Sequence, residues 1–211
     1  MPLLHKYESP RMGIWKITES WEELLESLVN KDVYYSGMME ISSGNRRREW
    51  LAVRLLLQHL SGHEARIGYR GNGSPFLPGS ACNISISHTK GFAAILLSEN
   101  KNPGIDMEYR SERAWKLRGK YMNENEWNRM MSLPDNGNVA TAIATVCWCA
   151  KETAFKILGE TGVDFSEHLC VEPFGFSEEG FLLLEEKYTE RHQRFRINYR
   201  VTGEYILTWK E

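Results

Sequence analysis

The stretch WCAKETAFK at residues 148–156 lies in the segment that decides the fold, a predicted helix from Val139 to about Leu158. Apolar residues recur in this segment at helical spacing and would form one core face: Val139, Ala142, Ile143, Val146, Ala150 and Ile157. At about 3.6 residues per turn, a second side carries Trp148, Glu152 and Lys156. A helix that is apolar on two sides is buried on two sides, so its charged residues need partners. An ordinary i,i+4 ion pair between Glu152 and Lys156 on a solvated face is the alternative.

The composition is that of a globular protein with an ample core. The chain has 211 residues, of which 42% are hydrophobic and 26% are charged, and its formal net charge is −2. This charge predicts no bulk attraction to nucleic acid or to a membrane. The first residues lack the apolar run of a secretory signal, and no run approaches the length of a membrane span. The four cysteines fit neither a zinc ribbon nor a disulfide framework, so free thiols in a cytoplasmic protein are expected.

The order of the predicted elements repeats once along the chain. Each half has a strand, a short helix and a long helix, the long one at 45–60 in the first half and 139–158 in the second, followed by strands. The stretch at 30–44 is expected to be irregular. The pattern predicts an α+β fold with two similar halves, residues 1–100 and 101–211, related by a pseudo-twofold axis, with the active site in the cleft between them. A single mixed α+β domain without symmetry is the alternative.

Two carboxylates share one face of a strand predicted at Gly104-Ile105-Asp106-Met107-Glu108. Alternate side chains of a strand point the same way, so Asp106 and Glu108 lie on one face with Cα atoms about 7 Å apart. Side chains at this spacing can converge on one hard cation. A half-buried strand with a solvated acidic face is the alternative.

Two further stretches carry groups that suit phosphate. Residues 85–89 read SISHT and bring hydroxyls and an imidazole to a predicted strand end, although an ordinary polar strand terminus would look the same. The run of arginines at 46–48 begins the long helix of the first half, where a solvated basic helix start explains it. Arg54 lies further along that helix among apolar neighbours and is the stronger candidate for binding an anion.

The GIDME stretch at 104–108, followed by WCAKETAFK at 148–156, resembles the paired signature of the 4′-phosphopantetheinyl transferases. The stretch that begins at Ser87 is similar to the family's Ser-His motif, and Glu126 resembles the acidic residue that follows the family's aromatic pair. The resemblance covers about residues 46–159. The two-half pattern resembles the monomeric, surfactin-synthetase-activating type rather than the short trimeric type. The implied fold is therefore that of the 4′-phosphopantetheinyl transferases.

The resemblance implies a transferase that moves 4′-phosphopantetheine from coenzyme A to a serine hydroxyl of an apo acyl or peptidyl carrier protein, with release of adenosine 3′,5′-bisphosphate. The implied ligands of Mg²⁺, or of Mn²⁺ in its place, are Asp106, Glu108 and Glu152. The implied binding residues for the co-substrate coenzyme A are Arg54, Ser87, His88 and Lys156. The implied catalytic residues are Glu152, Lys156 and Asp106. The resemblance further implies a cytoplasmic monomer.

The sequence departs from the family pattern at two positions. Ser74 stands where many members have the lysine of a GKP stretch, and Ser85 replaces a frequent asparagine. The missing lysine removes one expected phosphate contact, which concerns affinity for coenzyme A rather than the reaction class. Two other functions stay open: Mg²⁺-dependent hydrolysis of a nucleotide pyrophosphate such as coenzyme A, and a non-catalytic module that binds a carrier or a nucleotide. The acidic residues argue against the non-catalytic module.

A run of basic residues closely follows the acidic strand: Arg110, Arg113, Lys116, Arg118 and Lys120. Carrier proteins are typically acidic, so we expect this run to steer them toward the site. An ordinary solvated face is the alternative.

Overall fold

The computed structural model describes residues 3–99, 102–131 and 138–211, and the chain divides into two compact units. One unit comprises Met1–Pro103 with Glu211, and the other comprises Gly104–Lys210. Each unit contains an antiparallel sheet and a long helix, so the predicted mixture of helices and strands is confirmed. The pseudo-twofold axis and the cleft stay predictions. Within the described ranges, no helix combines the length and the apolar character that crossing a membrane requires.

The first unit packs a four-stranded sheet against its long helix. Its elements are β1 (Leu3–Glu8), β2 (Arg11–Lys16), α1 (Trp21–Glu26), α2 (Lys31–Met39), α3 (Gly44–Ser61), β3 (Gly68–Tyr69), β4 (Pro75–Phe76), β5 (Asn83–Thr89) and β6 (Phe92–Ser98). The sheet order is β1-β2-β6-β5, and β3 and β4 form a separate two-stranded sheet. Helix α3 lies on β2 and β6. Gly13 of β2 permits this packing, because a Cβ there would lie 2.7 Å from Cδ1 of Leu56.

Local signals set the helix ends that the sequence predicts in this unit. Ser20 and Glu23 form the full capping box at the start of α1. Helix α3 ends at Gly62, whose φ of 73° is the left-handed conformation that glycine adopts without strain.

The stretch at 30–44 is not irregular, contrary to the prediction, because it contains α2. Its N-cap residue, Asn30, makes no side-chain capping hydrogen bond. Its apolar residues are divided between the core and the surface: Tyr34 and Met38 are buried, whereas Val33 is 50% exposed. This division removes the single apolar stripe by which a helix is recognised. Strand β1 is missed for a related reason, since most of its side chains are exposed.

The second unit packs a five-stranded sheet on α6. Its elements are β7 (Gly104–Tyr109), α4 (Arg113–Leu117), a 3-10 turn (Arg118–Lys120), α5 (Glu124–Met131), α6 (Asn138–Leu158), β8 (Leu169–Val171), β9 (Glu179–Glu186), β10 (Arg194–Val201) and β11 (Tyr205–Lys210). The sheet order is β7-β11-β10-β9-β8, which places β7 at an edge. A Cβ on Gly104 would lie 2.5 Å from the carbonyl oxygen of Thr153, so glycine lets β7 begin directly against α6. This close approach brings the acidic strand to the central helix.

Candidate active site

Asp106 and Lys156 form an ion pair that joins β7 to α6. The ammonium Nζ of Lys156 lies 2.8 Å from Oδ1 of Asp106 and donates a second hydrogen bond to the carbonyl of Ile105, at 2.9 Å. The Asp106 side chain is 9% exposed, whereas that of Lys156 is 27% exposed. This partly buried pair therefore fits neither of the two alternatives left open by the sequence, a solvated acidic strand face and a solvated helix face.

Glu108, two residues after Asp106 on β7, also contacts α6. Its Oε1 accepts a hydrogen bond from the indole Nε1 of Trp148, at 3.2 Å. Burial raises the pKa of Glu108, and the negative charge of Asp106 raises it further, while the Trp148 N–H acts in the opposite direction. Asp106 and Glu108 therefore both face α6, as strand alternation predicts.

Glu152 on α6 is electrostatically coupled to both carboxylates of β7. Burial raises the pKa of Glu152 to about 7, and the charges of Asp106 and Glu108 add to the increase, although Lys156 opposes it. We refer to Asp106, Glu108, Glu152 and Lys156 as the carboxylate cluster.

The carboxylate cluster suits a hard divalent cation that also binds substrate oxygens. Mg²⁺ prefers one or two carboxylates together with phosphates and waters, rather than a cage made only of protein groups. The side chains do not form a ready-made metal site, because among residues 3–99, 102–131 and 138–211 no group of three or more acidic, histidine or cysteine side chains is arranged to hold a metal ion. A carboxyl group whose pKa is near 7 because of burial and like charges loses its proton readily when a cation enters. The donor set therefore fits Mg²⁺ with substrate oxygens as further ligands.

A buried ion pair that the sequence analysis missed lies next to this cluster on α6. Lys151 is fully buried, and its Nζ lies 2.8 Å from Oε2 of Glu126. The same ammonium donates to the carbonyl oxygens of Tyr121, at 2.6 Å, and of Phe165, at 2.9 Å. The other oxygen of Glu126 accepts the backbone N–H of Val171, at 2.7 Å. Glu126, noted above only by resemblance, thus joins α5, α6 and β8.

Aromatic rings flank the carboxylate cluster. The Trp148 ring packs edge-on against Tyr121, with ring centroids 5.0 Å apart, and at a tilt against Phe165, at 5.7 Å. Phe155 lies 5.6 Å from Phe165. Tyr121 and Phe165, whose rings contact Trp148, are thus the same two residues whose carbonyl oxygens accept hydrogen bonds from Lys151.

In the first unit, Ser87 and His88 lie near the end of β5, as predicted. Ser87 is buried, whereas His88 is exposed and its Nδ1 lies 3.1 Å from Oε2 of Glu49 on α3. Glu49 is a polar neighbour that the sequence analysis did not identify. The sequence feature that could have identified Glu49 is its place on the same predicted helix as Arg54.

Arg54 is on α3 as predicted, but most of its guanidinium is enclosed. The residue is 8% exposed, and its guanidinium carbon lies 3.2 Å from the centroid of the Trp50 ring. It also donates to the Trp50 carbonyl, at 2.8 Å. Burial lowers the pKa of Arg54 to about 10, and nearby Tyr69 partly offsets this change. Part of the hydrogen-bonding capacity of Arg54 is therefore used within its own helix.

A cavity of about 590 Å³ opens beside the first turn of α3. Its lining residues are Thr18, Glu19, Ser20, Trp21, Ser43, Gly44, Asn45 and Arg48. Arg48 donates to the Ile17 carbonyl, at 3.1 Å, and its buried Nε has no acceptor within the described part of the chain. The interpretation of residues 46–48 as a solvated helix start is therefore wrong for Arg48, which is half-buried at the cavity.

Comparison with known protein families supports the assignment of the second unit. A family model, the 4′-phosphopantetheinyl transferase superfamily, matches residues 102–209, just over half of the chain. The matched range contains the whole carboxylate cluster and the Lys151–Glu126 pair. It does not contain Arg54, Ser87 or His88. A search among curated proteins returns no match.

Proposed function

Because the chain belongs to the 4′-phosphopantetheinyl transferase superfamily, we propose that it moves 4′-phosphopantetheine from coenzyme A to a serine hydroxyl of an apo acyl or peptidyl carrier protein. The transfer of phosphopantetheine as such follows from the family. The observation that supports the remainder is the carboxylate cluster, in which Asp106 pairs with Lys156 and the charges of Asp106 and Glu108 act on Glu152. The second product would be adenosine 3′,5′-bisphosphate.

The proposed reaction is a displacement at phosphorus. The serine oxygen forms a bond to the phosphorus that carries pantetheine, and the bond from that phosphorus to the nucleotide phosphate oxygen breaks. Such transfers depend mostly on positioning and on neutralisation of charge. Glu152 is our candidate to accept the serine proton, because its carboxylate interacts with Lys156, the group that would contact the phosphate. Lys156, with its partly exposed ammonium, would contact the transferring phosphate.

Asp106, Glu108 and Glu152 would hold Mg²⁺, or Mn²⁺ in its place. When bound, the cation would neutralise the charge of the pyrophosphate. The support for this part of the proposal is the oxygen-only donor set and the raised pKa values of Glu108 and Glu152. The pKa values of these two carboxyl groups are raised because their surroundings disfavour negative charge, which a divalent cation would offset.

Arg54, Ser87 and His88 are our proposal for binding coenzyme A in the first unit. The enclosure of Arg54 against Trp50 makes the cavity beside Arg48 a second candidate for the 3′-phosphate. Serine hydroxyls, backbone amides at the start of an 18-residue helix and an arginine suit a phosphate group. Position 74 holds a serine instead of the family's usual lysine, so an additional contact to the phosphate would replace one that this lysine would make.

Intact-mass analysis tests the proposed function. The protein is incubated with coenzyme A, Mg²⁺ and an apo carrier protein, and we expect the carrier to gain one phosphopantetheine group. A carrier with its acceptor serine changed to alanine is the matched control and should gain nothing. Consumption of coenzyme A without a carrier would support the alternative, hydrolysis by the same carboxylates. Binding without either reaction would indicate a non-catalytic module.

We further propose that the protein acts as a monomer in the cytoplasm. All four cysteines are free thiols, and Cys147 and Cys149 are buried, which suits a reducing compartment. Size-exclusion chromatography with light scattering tests the oligomeric state directly.

A further inference from the structure

Trp148 lies between the carboxylate cluster and the buried Lys151–Glu126 pair. On one side its indole Nε1 donates to Oε1 of Glu108, and on the other its ring packs against Tyr121. We propose that Trp148 is a positioning residue that orients Glu108 for the divalent cation, and that Lys151 holds Trp148 in place. The inference rests on the proposed function, because the cation site is part of it.

The contact with Glu108 is suited to orienting a metal ligand. A glutamate side chain has several rotatable bonds, and restricting them costs conformational entropy each time a cation binds. A hydrogen bond from a fixed N–H restricts the carboxylate before the cation arrives. The Trp148 indole donates to Glu108, whereas Lys156 donates to Asp106. The two ligands on β7 are thus oriented by different residues of α6.

One buried ammonium holds both neighbours of the Trp148 ring. The Tyr121 and Phe165 rings contact the indole, and the carbonyl oxygens of these same two residues accept hydrogen bonds from Nζ of Lys151. Lys151 and Trp148 lie three residues apart on α6, so they occupy neighbouring positions on the helix surface. A displacement of either carbonyl would therefore move a ring that supports the indole.

This arrangement gives the buried ion pair a role. A buried lysine–glutamate pair can often be replaced by apolar residues without loss of stability, so its presence is weak evidence for a stabilising function. Apolar side chains could fill the same space, but they could not bind the carbonyls of Tyr121 and Phe165. Fixing these two segments against α6 is what the ammonium adds.

The substitution Trp148→Phe tests the role of the indole N–H. Phenylalanine keeps an aromatic ring between Tyr121 and Phe165 but removes the donor to Glu108. We measure thermal melting with saturating coenzyme A while Mg²⁺ is titrated. The variant should require about tenfold more Mg²⁺ than the wild type for half of the melting shift, the lower range for loss of an outer-shell partner. Trp127→Phe is the matched control, since the Trp127 ring packs on Trp115 and Arg118, and it should titrate like the wild type.

The outcomes separate this inference from the proposed function. If the wild type responds to Mg²⁺ and Trp148→Phe responds at the same concentrations, the positioning role is wrong and the metal site stands. If the wild type itself shows no Mg²⁺-dependent shift, the proposed metal site is wrong and the inference falls with it.

The double substitution Lys151→Met with Glu126→Gln tests the support of the indole. It removes both buried charges together, so neither is left without its partner. We expect the double variant to need several-fold more Mg²⁺ than the wild type for half of the melting shift. Adding Trp148→Phe to the double variant should raise this Mg²⁺ concentration by less than the tenfold expected in the wild type, because both changes act through Glu108. Independent, fully multiplicative effects would overturn the link between Lys151 and Trp148.

Discussion

Among single residues, Asp106 is connected to every other member of the carboxylate cluster. It pairs with Lys156, and its charge raises the pKa of both Glu108 and Glu152. It is largely buried, yet its partner is an ammonium rather than an apolar surface. Its removal should therefore change the electrostatics of the site more than the packing of the core.

Asp106→Ala is expected to lower phosphopantetheine transfer by roughly 100-fold or more, because one charge-stabilising group commonly contributes that much. The fold should persist, as judged by circular dichroism. Transfer is measured by intact mass of the carrier under single-turnover conditions. Asp32→Ala, at an exposed position of α2, is the control and should keep full activity. A rate near that of the wild type for Asp106→Ala would contradict both the metal assignment and the proposed transfer mechanism.

Glu152 should make the stability of the unliganded protein depend on pH. Its folded pKa is about 7, above the ordinary value of 4.5, so its contribution is fully present below pH 4.5 and is lost as the pH rises through 7. The loss is up to about 3 kcal/mol, less where solvent screens this half-buried group. Denaturation between pH 5 and 8 without divalent cations should show this decline, and Glu152→Gln should reduce it. Equal slopes for the two proteins would show that Glu152 does not titrate in this range.

Arg54→Ala is expected to weaken the binding of coenzyme A more than that of 3′-dephospho-coenzyme A, because only the former carries the 3′-phosphate. A charge-assisted contact of this kind contributes about 1.5–3 kcal/mol, or roughly 10- to 100-fold in affinity. Calorimetry with both ligands gives the comparison. Arg48→Ala, at the cavity beside α3, is measured in parallel. Equal losses for the two ligands with Arg54→Ala, and a selective loss with Arg48→Ala, would transfer the assignment to Arg48.

At the scale of elements, the chemistry depends on how closely β7 approaches α6. The sequence predicted both elements because each has a strong local period: alternation in β7 and apolar spacing in α6. It did not predict the Lys151–Glu126 pair, since that contact joins residues 25 positions apart through packing that no local pattern encodes. Strand β8 is missed for the same reason, because its three residues are too few to show a period, and the strand forms by pairing with the distant β9. The site residues that can be predicted from the sequence are thus those whose position depends on a single regular helix or strand.

Gly104→Ala tests the contact between β7 and α6. The added Cβ would lie 2.5 Å from the Thr153 carbonyl, so strand and helix must separate. Such overpacking typically costs about 1–3 kcal/mol, and it should also lower transfer because Asp106 moves relative to Glu152. Urea denaturation and the carrier-mass assay measure the two effects. Gly119→Ala is the control, since a Cβ there meets no atom within 4 Å of the described structure. Wild-type stability for Gly104→Ala would contradict the close approach.

At the scale of the whole molecule, the net charge is only −2, so recognition of an acidic carrier would depend on a local basic surface. The basic run that follows β7 does not act as one surface. Arg118 lies between two indole rings, 4.6 Å from Trp115 and 4.3 Å from Trp127, and donates to the Trp115 carbonyl. Lys116 and Arg113, by contrast, are on the exposed part of α4, where Lys116 pairs with exposed Glu112. These two residues are the ones to test for recognition of a carrier.

Reversal of Arg113 and Lys116 to glutamate should raise the apparent KM for an acidic carrier and leave that for coenzyme A unchanged. Opposite charges mainly increase the rate of encounter, so the effect should be several-fold at low salt and should shrink as salt screens it. Initial rates are measured at low and high ionic strength. The control reverses Lys187 and Arg191, two exposed basic residues at the β9–β10 connection. If the Arg113 and Lys116 variant keeps its carrier KM at low salt, or if the control raises it equally, the basic residues of α4 serve only as a solvated face.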